Sequence, residues 1–227
     1  MWEEPGTVRE ARRRQVELAL QGNGLEVEPD AIETGLLAIS DRQREAWLRG
    51  ELFQPHDGAR HFIETLGHER SEEHDLAIAE ALLLSSARPE LNVADGLPET
   101  LRALKGNDVR ISIVCDVGLA PSTVLRACLE GAGLLEYFDG WAFSDEVGHY
   151  KPAPEIFEHA LQPLGVEPAD AIHVGDLRRT DVAGSRSFGM TSVRYRGVAE
   201  DDDLESAEAD HVIGDHREIL DLMGLRA

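Results

Sequence analysis

Two aspartates, Asp176 and Asp181, follow a short apolar run in the segment IHVGDLRRTD, residues 172–181. The run places Asp176 at the carboxyl end of a buried strand, where open α/β sheets bind ligands, and Asp181 returns to the same crevice from the start of the next helix. Two carboxylates in one crevice suit a hard divalent cation, usually Mg²⁺, because it leaves its other coordination positions to water and phosphate. The alternative is that Asp181 only caps the helix.

A lysine, Lys151, precedes these carboxylates in the segment GHYKPAPEIF, residues 148–157. Pro152 and Pro154 stiffen the backbone just after it, and the apolar spacing of EIFEHAL predicts a helix that starts there. The ammonium group therefore lies on a rigid loop, where it could hold the carboxylates together and neutralise a phosphoryl group. The alternative is a surface lysine in a proline-rich turn.

A second apolar run, VRISIVCDVG at residues 109–118, is rich in β-branched side chains and breaks into a turn before a helical pattern. It predicts another buried parallel strand, with Cys115 and Asp116 at its carboxyl end.

The order of these segments resembles the haloacid dehalogenase superfamily, most nearly its phosphatase-like members, across residues 95–227. The stretches LLEYFDGWAFSDEVGHYKPAPEIF and IHVGDLRRTDVAGSRSFGM carry the resemblance. It implies an α/β fold, in which a three-layer, Rossmann-like core with a parallel sheet is joined to an all-helical cap domain. The cap of such proteins closes over the site, excludes water and selects substrates.

The resemblance also implies roles for the candidate residues. Lys151 takes the place of the family's catalytic, phosphate-binding lysine, and Asp176 with Asp181 takes the place of the acidic metal site. Cys115 stands where the family usually has a phosphate-binding Ser or Thr, and Asp116 where it often has Asn. A thiol is a weak hydrogen-bond donor, and an extra carboxylate repels a phosphoryl group.

The family's nucleophile lies in a DxD motif at the end of an N-terminal strand, and no apolar strand ending in DxD precedes residue 100 here. By resemblance we expect the chain either to be shortened at its start or to have lost the nucleophile. By resemblance the missing strand is central, so we expect either a gap in the sheet or direct pairing of residues 111–114 with 172–174. We expect the 227-residue chain to lack phosphatase turnover and to aggregate through unpaired strand edges.

The first part of the chain has a different pattern. Apolar spacings of three and four, separated by Gly, Asn or Pro, predict four antiparallel helices. We therefore divide the chain into a helical cap domain at residues 1–93 and an α/β core at residues 94–227, with linkers near Met1 and residues 92–96.

Composition argues against some classes of binding partner. A formal net charge of −22 over 227 residues argues against nucleic acid and anionic membranes as partners, since both would be repelled. The positions of the two cysteines predict no disulfide framework, and from the sequence pattern we expect neither a signal sequence nor a membrane-spanning segment. We expect a cytoplasmic monomer or homodimer whose partner is a small phosphorylated metabolite.

Three functional hypotheses remain from the sequence. The first is a Mg²⁺-dependent phosphatase of a small phosphorylated metabolite, in a full-length form that carries the nucleophile. The second is a non-catalytic binding or regulatory protein that keeps the anion and metal pocket. The third is a 2-haloacid dehalogenase, which needs no metal, whereas the paired aspartates after Gly175 favour a metal-dependent reaction.

Overall fold

The computed structural model describes residues 2–3, 6–69, 71–83, 92–197 and 201–225. The chain forms two compact units. One is an α/β unit of Met1–Glu3, Leu91–Asp116 and Ala132–Ala227, and the other is a helical unit of Glu4–Glu90 and Val117–Gly131. Our division by sequence placed Val117–Gly131 in the α/β part, whereas this segment packs with the helical unit.

The helices of the described residues are, in chain order, α1 (Gly6–Gly22), α2 (Pro29–Leu48), α3 (Pro55–Thr65), α4 (Glu72–Leu83), α5 (Leu97–Gly106), α6 (Ser122–Gly131), α7 (Ser144–Val147), α8 (Pro154–Leu161), α9 (Ala183–Phe188) and α10 (Glu218–Leu222). The strands are β1 (Trp2–Glu3), β2 (Asn92–Val93), β3 (Ser112–Cys115), β4 (Gly140–Phe143), β5 (Ile172–Gly175), β6 (Thr191–Tyr195) and β7 (His211–Ile213). Among these helices, none combines the length and the apolar character that a membrane crossing requires.

The helical unit contains the four helices that the apolar spacings predict, α1 to α4. Its core is apolar and fully buried, with Val16, Ile39 and Phe62 among its side chains. Gly35 lets α2 approach α3 closely, because a β-carbon at this position would stand 2.6 Å from the Phe62 ring. The aromatic ring thus fills the space that a larger residue at position 35 would need.

The α/β unit contains three small sheets. Strands β1 and β2 form an antiparallel pair, β3 and β4 a parallel pair, and β5, β6 and β7 a parallel sheet in that order. Cys115 lies opposite Phe143 at the end of β3, and Gly175 lies opposite Arg194 at the end of β5.

Side chains of β5 alternate between two apolar layers, as expected for a strand. Ile172 and Val174 pack against the cluster formed by α5, β6, β7 and α10. His173 points the other way, and its ring lies 5.1 Å from that of Phe157 in α8. Helices therefore cover both faces of the sheet region, which confirms the predicted three-layer α/β class.

A gap separates β3 from β5, since these strands are not hydrogen-bonded to each other in the described structure. A cavity of about 590 Å³ lies there, with Ser112–Val114 on one side and Ile172–Gly175 on the other among its lining residues. We call it the interstrand slot. Of the two outcomes expected from the sequence, the gap is confirmed and direct pairing is wrong.

Candidate active site

Lys151 joins the carboxyl ends of β3 and β5. Its Nζ lies 2.8 Å from Oδ1 of Asp181, and its backbone N–H donates to Oδ1 of Asp116 at 2.9 Å. Both side chains of the ion pair are buried, with 12% of Lys151 and 3% of Asp181 exposed. The structure therefore brings together Lys151, Asp116 and Asp181, and it excludes the alternative of Lys151 as a surface residue.

The Asp181 carboxylate accepts hydrogen bonds at both of its oxygens. Oδ1, which receives Lys151, also lies 2.9 Å from Nε2 of His173, and the imidazole donates because a carboxylate only accepts. Oδ2 accepts from the backbone N–H of Leu177 at 3.3 Å and from Oγ1 of Thr180 at 3.2 Å. Asp181 thus points back toward β5 and does not cap α9.

The local backbone explains how Asp181 reaches this position. After Asp176, residues Arg178–Val182 form a π-helical turn that leads into α9, and such turns are frequent at functional sites. The backbone N–H of Arg178 donates to Oδ2 of Asp201 at 2.6 Å, and the Arg178 guanidinium contacts Glu208 at 2.9 Å. Asp201 and Glu208, which follow β6 along the chain, therefore hold the π-helical turn in place.

Neighbouring charges and burial shift the pKa values of Lys151 and Asp181 in opposite directions. Burial disfavours the Lys151 cation, but the Asp181 and Asp116 carboxylates outweigh it and raise the pKa of Lys151. Burial likewise disfavours the Asp181 anion, but Lys151 and His173 hold the pKa of Asp181 well below its usual range. Both groups are charged at neutral pH, so the site presents a fixed ammonium group.

Asp176 is partly exposed and lines the interstrand slot. Burial, together with the nearby Asp181 carboxylate, raises the pKa of Asp176. A bound cation would reverse this effect, because positive charge favours the ionised carboxylate. The four donors around Asp181 occupy its acceptor positions, so Asp176 is the carboxylate better placed to bind a cation directly.

The described residues contain no cluster of three or more His, Cys, Asp or Glu side chains that could enclose a metal ion. Mg²⁺ does not require such a cluster, because it often binds through one or two carboxylates plus water and substrate phosphate. The residues present fit that mode, with Asp176 as ligand. The assignment of Asp176 and Asp181 as a metal pair stays a prediction.

Cys115 and Asp116 end β3 beside Lys151. Burial raises the pKa of the Cys115 thiol to about 12, although Lys151 acts in the opposite direction. The thiol is therefore protonated at neutral pH and is a poor nucleophile. Asp116 accepts the Lys151 backbone N–H and so fixes the loop that carries the lysine.

Sequence reasoning missed His173 and Thr180 as partners of Asp181. A signal for His173 was present, because it is a polar residue inside the apolar run that forms β5. A buried imidazole in such a strand requires a hydrogen-bond partner on the same face. Thr180, next to Asp181 in the turn, gave no comparable signal.

The sequence of this chain is similar to a known protein family and to known relatives. A family model described as haloacid dehalogenase-like hydrolase matches residues 6–189. The chain is 29% identical over 209 residues to human haloacid dehalogenase-like hydrolase domain-containing protein 3, covering 85% of this chain and 79% of that protein. It is 33% identical over 141 residues to ribulose-1,5-bisphosphate 5-phosphatase of Halopiger xanaduensis, covering 59% of this chain and 58% of that enzyme.

Solved structures show the same fold. A structure described as a HAD phosphatase from Thermococcus onnurineus superposes with a TM-score of 0.64 at 25% identity, covering 96% of this chain and 90% of that one. L-2-haloacid dehalogenase from Xanthobacter autotrophicus superposes with a TM-score of 0.60 at 18% identity. At that identity the likeness shows the fold alone.

Proposed function

This chain belongs to the haloacid dehalogenase-like hydrolases. We propose that, in a form of the protein that carries the family's DxD nucleophile, its site serves the hydrolysis of phosphoric monoesters of small metabolites with Mg²⁺ bound. The observation that carries the proposal is the buried Lys151 cation, fixed by Asp181 and Asp116 at the strand ends where Asp176 also lies. A fixed cation beside a carboxylate that can bind metal suits a dianionic phosphoryl group. The phosphatase name of the Halopiger relative supports the same class of substrate.

Each residue then has a defined task. Lys151 binds a phosphoryl oxygen and offsets its charge, while Asp181 and His173 hold the lysine in place. Asp176 would hold Mg²⁺, which supplies charge neutralisation and substrate orientation when bound. The Asp116 carboxylate acts on Lys151 through the backbone, so its role is to position the loop.

A second candidate function is binding without turnover. The protonated Cys115 thiol and the hydrogen-bonded Asp116 carboxylate are the side chains at the end of β3, and neither is an activated nucleophile. A protein with this site alone could bind a phosphorylated ligand and metal without cleaving the ester.

Calorimetric titration with inorganic phosphate, with and without Mg²⁺, tests the phosphoryl and metal site directly. We expect binding that requires Mg²⁺, and a loss of at least about tenfold in affinity for Lys151→Met and for Asp176→Asn, because each removes a charged partner. Lys105→Met is the matched control, since Lys105 lies on α5 and pairs with Asp139 at 2.7 Å. Folding of each variant is checked by thermal melting.

Two results would contradict the proposal. One is phosphate binding that is indifferent to Mg²⁺ and to both site substitutions. The other is an equal loss of affinity in the Lys105→Met control, which would mean that general surface charge, and not the site, attracts the anion. Phosphate binding as expected, with no hydrolysis of any phosphate ester by a chain that also carries an upstream strand ending in DxD, would favour the non-catalytic candidate.

A further inference from the structure

Asp176, the carboxylate proposed to bind Mg²⁺, lies close to cationic side chains. Within the part of the chain that the structure describes, no side chain donates a hydrogen bond to it. Lys151 is held by Asp181 at 2.8 Å. Arg178 follows Asp176 by two residues, and Arg194 lies on β6 beside the end of β5. An ion pair of Asp176 with either arginine would occupy carboxylate oxygens that a cation needs.

A single carboxylate, that of Glu208, binds both arginines. Its Oε1 and Oε2 accept hydrogen bonds from Nε and Nη2 of Arg194, each at 2.7 Å, and Oε2 also accepts from Nη2 of Arg178 at 2.9 Å. Only 3% of the Arg194 side chain is exposed, so this bidentate pair fixes the Glu208 carboxylate. The hydrogen bond from Arg194, more than any other contact, holds the pKa of Glu208 well below its usual range. Glu208 is therefore charged at neutral pH.

The other contacts of the Arg178 guanidinium are mostly to neutral groups. Its Nη1 donates to the carbonyl oxygens of Asp201 and Asp203 at 3.0 Å and 2.9 Å, and the Asp201 carboxylate lies farther away, at 3.8 Å. Hydrogen bonds to charged groups are the stronger ones, so Glu208 is the main restraint on the guanidinium. The Cα atoms of residues 176 and 178 are at most about 7 Å apart, which an arginine side chain can span.

We propose that Glu208 is a specificity-determining residue of the site: it keeps Arg178 from pairing with Asp176 and so leaves Asp176 for a divalent cation. The inference rests on the proposed function, because it takes Asp176 as the Mg²⁺ ligand. Without the Glu208 charge, the guanidinium of Arg178 replaces the metal as the partner of Asp176. Anion binding then depends less on Mg²⁺, because the guanidinium neutralises one of the carboxylates that repel an anion.

Calorimetric titration of the 227-residue chain with Mg²⁺ alone, and with inorganic phosphate alone, tests this. We expect Glu208→Gln to lower the affinity for Mg²⁺ by at least about tenfold and to raise the affinity for metal-free phosphate by about threefold or more. The opposite signs are decisive, since a site that is merely loosened loses affinity for both ligands.

Removing the competing guanidinium provides a second measurement. Glu208→Gln with Arg178→Met should bind Mg²⁺ within about threefold of the unsubstituted chain, because nothing then displaces the metal from Asp176. The backbone N–H of residue 178 can still donate to Asp201 in this variant. Glu208→Gln with Arg179→Met is the matched control, since it has the same net charge and changes the neighbouring arginine of the turn. We expect it to keep the low affinity of Glu208→Gln.

A variant that keeps the fold is available if Glu208→Gln does not fold. Glu208→Gln leaves the buried Arg194 guanidinium without its counter-charge, which is strongly destabilising. Replacing both partners, as Arg194→Met with Glu208→Met, removes that buried charge and leaves Arg178 in place. The same two titrations, with Arg178→Met and Arg179→Met added in turn, then decide the proposal.

A crystal structure of the metal-free Glu208→Gln chain, or of the Arg194→Met/Glu208→Met chain, shows the guanidinium directly. We expect it within hydrogen-bond distance of Asp176. A guanidinium that stays on the carbonyl oxygens of Asp201 and Asp203 would overturn the proposal, as would an unchanged Mg²⁺ affinity or an equal restoration by Arg179→Met. If the unsubstituted chain binds no Mg²⁺, the proposed function fails, and the position of Arg178 in the crystal still decides whether Glu208 restrains it.

Discussion

The carboxyl group of Asp181 lies directly against the backbone of Gly175: a β-carbon added at residue 175 would stand 2.2 Å from Cγ of Asp181. Real atoms do not approach so closely, so the last residue of β5 must be glycine for Asp181 to occupy its position. The π-helical turn, the Lys151 ion pair and the end of β5 are therefore interdependent.

Gly175→Ala is expected to lower the free energy of unfolding by about 1–3 kcal/mol, because the methyl group forces Asp181 and its partners to move. Gly106→Ala is the control, since a β-carbon at Gly106, the last residue of α5, meets nothing within 4 Å. Urea unfolding followed by circular dichroism measures both. Equal stability of the two variants would show that Asp181 adjusts freely.

Lys151→Met and Asp181→Asn are each expected to destabilise the protein by about 3–5 kcal/mol, because each leaves a buried partner without its counter-charge. The double variant should lose less than the sum of the two by about 1–3 kcal/mol. A double-mutant cycle in urea measures this coupling. Additive losses would mean that the 2.8 Å contact adds nothing to folding.

The Lys151–Asp181 ion pair should also make the free energy of unfolding depend on pH. The pKa of Asp181 is held below its usual range, so its contribution to stability is present above about pH 4 and is lost as the pH falls through the folded value. The pKa of Lys151 is raised, so its contribution is present below about pH 10 and is lost as the pH rises through the folded value.

Comparing the unsubstituted chain with Asp181→Asn at two pH values tests whether the contribution of Asp181 to stability is lost at acid pH. The difference in unfolding free energy should be smaller at pH 3 than at pH 7, because the unfolded aspartate is already largely protonated at the lower pH. A difference that grows on acidification would contradict the direction of the Asp181 shift.

Elements with a strong local pattern could be predicted from the sequence. The apolar runs gave β3 and β5, and the spacings of three and four gave α1 to α4, because each depends on which side chains share one face. Asp116 and Asp176 directly follow these apolar runs, which predicted that both lie at the carboxyl ends of the strands. Resemblance to a known family supplied the position of the gap.

Other features depend on contacts between distant segments, which local patterns do not contain. The packing of Val117–Gly131 with the helical unit is one case, since its helical pattern is equally compatible with either unit. The hydrogen bond from the Lys151 backbone to Asp116 is another. The partners of Asp181 are set by the π-helical turn, and its extra residue per turn has no recognised sequence signal.

The buried side chain of His216, which lines the interstrand slot, should make the free energy of unfolding depend on pH independently of the Lys151–Asp181 ion pair. Burial lowers the pKa of His216 to about 4, below the value of about 6.5 for an unfolded histidine. Between these values the unfolded chain binds more protons, so stability should fall as the pH drops from 7 to 5. His216→Gln should reduce that fall and the exposed-site control His159→Gln should not, as measured by urea unfolding at both pH values.

The 227-residue chain is expected to release no phosphate from a generic aryl phosphate, with or without Mg²⁺. The Cys115 thiol, with its pKa raised to about 12, is protonated, and the Asp116 carboxylate accepts the Lys151 backbone N–H at 2.9 Å. Asp116 is the more plausible nucleophile of the two, since a carboxylate can form an acyl phosphate. A colorimetric assay compares the chain with Asp116→Asn and with Asp221→Asn, whose exposed aspartate lies on α10. Mg²⁺-dependent turnover that Asp116→Asn abolishes and Asp221→Asn retains would show that Asp116 attacks phosphorus, and the site would then be catalytic with the residues at hand.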